Sequence, residues 1–321
     1  MVHSAGDARP HPLQCVPRER CSRRLAAPRH RLARQPTRNP RLLRVHLFSL
    51  SYRKPSARTG KVDLHEIIEY AAQLRLDGVD LEARQFETTT PEYLEGLRTH
   101  ALQKGLEIGY VGVRSDFGCK GAELEAEIMR VKEWIEHAAF LRVPLVRVIG
   151  ANVPKGETEA TVWPRLRSSF AAIVEQGRAH RIRIGLHNHN HGAIPATGQQ
   201  VLRLLGEIDD PYLLHILDTG QFRGSPGASG QARSDRPAHE ELYEHIETAL
   251  PRAVVMRTKF YRNESGRERW LDYDRIFGLI KRSGFNGPLS IVYEGHEFLG
   301  EERALPNAVG ELRALCRKFE V

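Results

Sequence analysis

The segment His187-Asn188-His189-Asn190-His191 places three imidazoles and two amides at the end of the apolar run 182–188. Asp218 ends a second run at 213–218, and Arg257 and Lys259 lie in a third at 253–260. Glu294 ends a fourth at 289–294, with His296 just beyond it. Glu82 closes the run 78–82, and Arg147 sits within 144–149. Residues two apart on a strand share a face and lie ~6.6 Å apart along it. His187 and His189, Arg257 and Lys259, and Glu294 and His296 are therefore expected to point the same way in pairs. Imidazoles and carboxylates brought to one place suit either a divalent ion or an acid/base site whose carboxylates are neutralised by cations. Each residue alone has a plainer role. Asp218 reads as a helix cap, His189 and His191 as hydrogen-bonded loop residues, Glu82 as half of a rim ion pair, and Arg257 with Lys259 as a half-exposed edge. Chemistry is favoured because all of them fall at the same end of separate runs.

The elements that must position them follow a regular rhythm. Eight short β-branched or apolar runs (44–50, 78–82, 106–113, 144–149, 182–188, 213–218, 253–260 and 289–294) alternate with helical patterns such as 63–75, 121–141, 158–179 and 273–282. Asp63 is placed to cap the first helix with Glu66 as its capping-box partner, and Asp272 to cap the helix near 273–282. Alternation of this kind implies parallel strands with crossover helices. Eight units in about 277 residues predict a (β/α)8 barrel over 44–321. A doubly wound dinucleotide fold would need a Gly-rich turn after its first strand, and SYRKPSARTGK carries a single Gly. In a barrel, polar residues at the C-terminal ends of strands line the mouth, where chemistry is done. The irregular stretch 222–236 is expected to lie over it.

Charge is distributed unevenly. The 321 residues carry a formal net charge of +8, but residues 1–44 hold eleven Arg against Asp7 and Glu19, or +9. The body is thus close to neutral, which argues against a nucleic-acid partner. The Arg/Pro-rich segment 1–43 is expected to be disordered: a basic arm, a targeting segment or an early start codon. Arg23-Arg24 has no apolar segment behind it to make an export signal. No stretch reaches the ~18 apolar residues of a membrane span, and four Cys are too few for a disulfide scaffold. A cytoplasmic location is expected.

The order GVDLE (78–82), LHNHNHG (186–192), LDTGQF (217–222), MRTKFY (256–261) and SIVYEG (290–295) resembles the sugar phosphate isomerase/epimerase family, with its xylose-isomerase-like barrel. The resemblance spans roughly residues 44–319. It implies one divalent ion held by Glu, Asp, His and Glu on strands five to eight, the two Glu also moving the proton beside a sugar carbonyl. Asp218 and Glu294 match the second and fourth positions. His187 stands where the family has Glu, Arg257 where it has His, with Lys259 kept, and Gln221 replaces a substrate-contacting His.

The expectation is therefore a sugar or polyol-ketone isomerase or epimerase. Glu294, His187 and Lys259 are its catalytic residues; Glu82, Arg147, His189, Gln221, Arg257 and His296 bind substrate. His187, Asp218 and Glu294 hold a divalent metal ion, with Mn, Zn, Fe or Co preferred to Mg because imidazole is present. Arg257 cannot be a ligand, since it stays protonated. A metal-free site, in which Arg257 and Lys259 stabilise an enediolate, is the other arrangement. A metal-dependent lyase, dehydratase or hydrolase on the same barrel, or a sugar-binding barrel without turnover, are the remaining readings. An abasic-site endonuclease would need a three-metal cluster and a basic body. The partner is a small carbohydrate, and a homo-oligomer is left open by the resemblance.

Overall fold

The computed structural model describes residues 42–57, 60–227 and 238–321. The tail expected over 1–43 and most of the stretch 222–236 lie outside these residues, apart from Leu42, Leu43 and residues 222–227. All eight expected strands are present. They are β1 (Val45–Phe48), β2 (Gly78–Glu82), β3 (Glu107–Val113), β4 (Leu145–Ile149), β6 (Arg183–His187), β8 (Leu213–Asp218), β9 (Ala253–Phe260) and β10 (Leu289–Tyr293). They pair in parallel and close a barrel in the order β1-β10-β9-β8-β6-β4-β3-β2. Two short strands, β5 (Ala151–Asn152) and β7 (Ala193–Ile194), form a separate antiparallel pair above the barrel strands they follow.

Among the described residues, eight α-helices cover the outside: α1 (Leu64–Gln73), α2 (Pro91–Gln103), α3 (Gly121–Leu141), α4 (Glu159–His180), α5 (Gly198–Ile208), α6 (Glu240–Ala249), α7 (Tyr273–Ser283) and α8 (Glu301–Phe319). Their apolar stripes explain why. In α7, Tyr273, Ile276, Phe277 and Ile280 recur at helical spacing and are all buried. Each such side chain contributes about 1.5–3 kcal/mol by leaving water. Asp63 caps α1 through His65 N–H and Asp272 caps α7 through Arg275 N–H, while the Glu66 carboxylate accepts from the Ser56 hydroxyl.

Period-two alternation sends odd and even strand residues to different layers. Outward-facing Leu, Ile and Val pack under the helices. The inward layer is smaller and mixed, with Phe48, Tyr110, Leu145, Ile216, Val255 and Val292 as its apolar plug. Polar residues sit above and below this plug. At the N-terminal end, buried His46 lies 3.2 Å from Asp80 Oδ1 and 2.8 Å from Glu107 Oε1. The other polar layer faces the C-terminal mouth. Asp80 and Glu82, two apart on β2, thus belong to opposite ends of one interior.

Candidate active site

The mouth is a cavity of about 490 Å³. Glu82, Arg147, His187, His189, Gln221, Arg257, Lys259 and Glu294 all line it, and Asp218 lies at its floor against three of them. The register explains the convergence. His187 pairs with Ile216, Asp218 with Arg257, and Lys259 with Val292, so the ends of β6, β8, β9 and β10 stand level.

Asp218 is wholly buried and hydrogen-bonded on both oxygens. Its Oδ1 accepts from Gly220 N–H at 2.9 Å. Its Oδ2 faces Arg257 Nε at 2.9 Å, His187 Nε2 at 3.3 Å and Lys259 Nζ at 3.5 Å. Burial alone would raise its pKa. Lys259, His187 and Arg257 outweigh that and hold the carboxyl well below the usual range. Asn188 fixes the backbone beneath: its Oδ1 accepts from Asp218 N–H at 2.8 Å and its Nδ2 donates to Asp218 O at 3.0 Å.

Lys259 spans the two carboxylates. Its Nζ donates to Glu294 Oε1 at 2.9 Å while facing Asp218, and its side chain is 1% exposed. Gly220 permits this approach, because a Cβ there would lie 2.6 Å from Lys259 Cγ. Arg257 is clamped from three sides. Its Nε donates to Asp218, its Nη1 to the Tyr110 hydroxyl, and its Cζ lies 4.1 Å from the Phe48 ring centre. Burial works against its charge, but Tyr110 and Asp218 raise its pKa above normal.

His187 departs from its expected roles. Arg147 Nη1 lies 3.1 Å from His187 Nδ1, and a guanidinium can only donate. Nδ1 is therefore the acceptor, and Nε2 carries the proton that faces Asp218. Burial, opposed by the Asp218 bond and aided by Arg257 and Arg147, drives its pKa well below normal, so the ring is neutral. Both nitrogens are occupied, and the lone pair needed by a metal ligand or a base is on Arg147. The expected catalytic and ligating roles of His187 do not fit this arrangement.

The expected metal site fails for the same reason. Of its three ligands, Asp218 has donors on both oxygens, His187 has no available lone pair, and Glu294 is bonded to an ammonium. Among the described residues no group of three or more His, Cys, Asp or Glu side chains is placed to hold an ion. The donor set does not suit a divalent metal.

His189 keeps a lone pair. Its Nδ1 faces Asn190 O at 2.9 Å, which makes Nδ1 the donor and leaves Nε2 as acceptor. Burial pushes its pKa down to about 4. Glu82 is buried, accepting from Arg84 Nε at 2.8 Å and Arg147 Nη2 at 3.0 Å, so it holds Arg147 rather than standing free for substrate. Gly112 makes room for Arg147, since a Cβ there would meet its Nη2 at 2.7 Å.

His296 is the one expected residue that the structure takes elsewhere. β10 ends at Tyr293, and strand alternation stops at the Gly295 turn. His296 Nε2 instead lies 3.3 Å from Ser51 O and 3.7 Å from Glu301, outside the cavity lining. The sequence reading missed Tyr110, Phe48 and Asn188. Tyr110 and Phe48 sit in apolar runs and read as core; Asn188 lay within the histidine run and was passed over.

Comparison with known proteins agrees with the barrel fold. The profile of xylose isomerase-like TIM barrels matches residues 68–317. The chain belongs to that family. No curated protein is similar enough in sequence to match. Among solved structures, D-psicose 3-epimerase from Clostridium cellulolyticum H10 superposes with a TM-score of 0.66 at 14% identity, covering 86% of this chain and 99% of that one. A 3-keto-D-glucoside 4-epimerase from E. coli gives 0.62 at 13%, covering 86% and 99%. A probable 3-DHS dehydratase from Bacillus anthracis gives 0.60 at 16%, covering 85% and 99%. At such identities the likeness establishes the fold, and the site must supply the chemistry.

Proposed function

We propose that this barrel is an isomerase or epimerase of polyhydroxy carbonyl compounds, working by proton transfer beside the carbonyl with cations of its own chain. The observation that carries this is the buried Lys259 ammonium between Glu294 and Asp218 at the floor of the mouth. A carboxylate beside an ammonium is a base next to an electrophile. Glu294 takes the proton from the carbon adjacent to the carbonyl. The C–H electron pair forms the C=C bond and the carbonyl π pair moves to oxygen, giving an enediolate. Lys259 and Arg257 face the developing negative charge. Asp218 is ionised and holds both cations in place. Return of the proton to the former carbonyl carbon, with the adjacent hydroxyl giving its proton to the enediolate oxygen, isomerises the sugar. Return to the opposite face, from a second group, epimerises it.

Incubating the protein with a panel of ketoses in deuterated water tests this by NMR. Deuterium should appear at a carbon beside the carbonyl, and Glu294→Gln should slow its uptake by about 10²–10⁴-fold. Loss of a hydroxyl without return of the proton would make the enzyme a dehydratase. No uptake from any ketose would overturn the proposal.

A further inference from the structure

The cations in the mouth outnumber what its carboxylates neutralise. Arg53, Arg84, Arg114, Arg147, Arg257 and Lys259 line the cavity. Against these six stand Glu82 and Glu294 in the lining and Asp218 at the floor. The three buried cations, Arg147, Arg257 and Lys259, are balanced by those three buried carboxylates. The surplus is the arc of Arg53, Arg84 and Arg114. They follow β1, β2 and β3, which are adjacent in the barrel, so the arc lies on one side of the mouth. Arg84 shares Glu82 with Arg147, while the Arg53 and Arg114 guanidiniums have no ion pair among the described residues. Beneath the arc, Arg147 is 3% exposed, and its Nε has no partner.

We infer that the substrate carries its own negative charge, a carboxylate or a phosphate, bound by Arg53, Arg114 and Arg147 at one side of the mouth. This rests on the proton-transfer reading only for its orientation: the carbonyl end lies at Lys259 and Glu294, and the anionic end at the arc. Arg53, Arg84 and Arg114 are exposed at one side of the mouth, and an anionic substrate would give Arg53 and Arg114 the counter-charge that a neutral sugar lacks. A planar guanidinium fork matches both carboxylate and phosphate oxygens, and charge-assisted bonds to them are roughly twice as strong as neutral ones. The same surplus steers anions toward the mouth.

Titration calorimetry on the full chain tests this without turnover, using inorganic phosphate, D-gluconate and neutral sorbitol as probes. Phosphate or gluconate should bind at least tenfold more tightly than sorbitol, and which of the two binds tells phosphate from carboxylate. In Arg53→Gln/Arg114→Gln the ratio of anion to sorbitol affinity should fall at least tenfold. Anion affinity of the native chain should also weaken as salt is raised. Sorbitol binding as tightly as either anion, no binding of any probe, or an unchanged ratio in the double variant would each overturn the inference. Deuterium uptake by neutral ketoses is read separately, so a failure of proton transfer is distinct from a failure of anion recognition.

Discussion

Replacing His187 by Glu and Arg257 by His in one chain should create the divalent-ion site that the native residues do not form. The native floor holds three buried cations, Arg147, Arg257 and Lys259, against three buried carboxylates, Glu82, Asp218 and Glu294. The exchange removes one positive charge and adds one negative, an imbalance of two that one divalent ion would cancel. It also frees Asp218 Oδ2 from Arg257 Nε at 2.9 Å and from His187 Nε2 at 3.3 Å. Breaking a buried ion pair costs about 3–5 kcal/mol. At roughly 2–4 °C per kcal/mol for a domain of this size, the ion-free double variant should melt roughly 10 °C below the native chain. Manganese at a hundred times its Kd should restore about 2.7 kcal/mol, a rise of several degrees. The assay is thermal melting of chelator-treated protein with and without Mn²⁺. Elemental analysis of the native chain and of Asp218→Ala runs beside it. The native melting curve should not move. About one equivalent of metal in the native chain, lost in Asp218→Ala, would refute the reasoning. So would a folded double variant whose melting is indifferent to Mn²⁺.

Two pH effects follow from buried groups away from the mouth. Burial alone would lower the pKa of His46, but Asp80 and Glu107 outweigh it and raise it to about 9. Its folded pKa lies above the unfolded 6.5, so this stabilisation, of order 3 kcal/mol, is full below about pH 6.5 and is lost as pH rises through 9. Tm should fall across that window and His46→Gln should flatten the fall; an equal fall in the variant would count against the pairing. Burial raises Glu311 to about 7, with the Glu268 N–H opposing it. A carboxyl raised above its unfolded value weakens the fold as pH climbs from 4.5 to 7. Glu311→Gln should therefore raise Tm at pH 8 by several degrees and leave it unchanged at pH 4, and equal shifts at both would contradict this.

The barrel was readable because its strands are short apolar runs at regular intervals, and the crossover rule leaves few ways to connect them. Asp218, Lys259 and Glu294 were readable as one group because each is a charged residue at the end of such a run. What alternation could not show is which donor each lone pair meets. His187 reads as a ligand until Arg147, forty residues earlier on another strand, is found against its Nδ1. His296 reads as Glu294's neighbour until the strand ends at Tyr293. Tyr110 and Phe48 look like ordinary core, and only closure of the barrel brings them under Arg257. The arginine arc lies on loops after three separate strands, where no period connects its members.

The ammonium between Asp218 and Glu294 is attached to the backbone. A bound ion has an occupancy that varies with supply, competes with other ions and is removed by chelators. A lysine has an occupancy of one in every folded copy, set when the chain is synthesised. Its charge is single rather than double and its reach is fixed by four methylenes. A catalyst built on it gives up field strength and gains independence from its ionic surroundings.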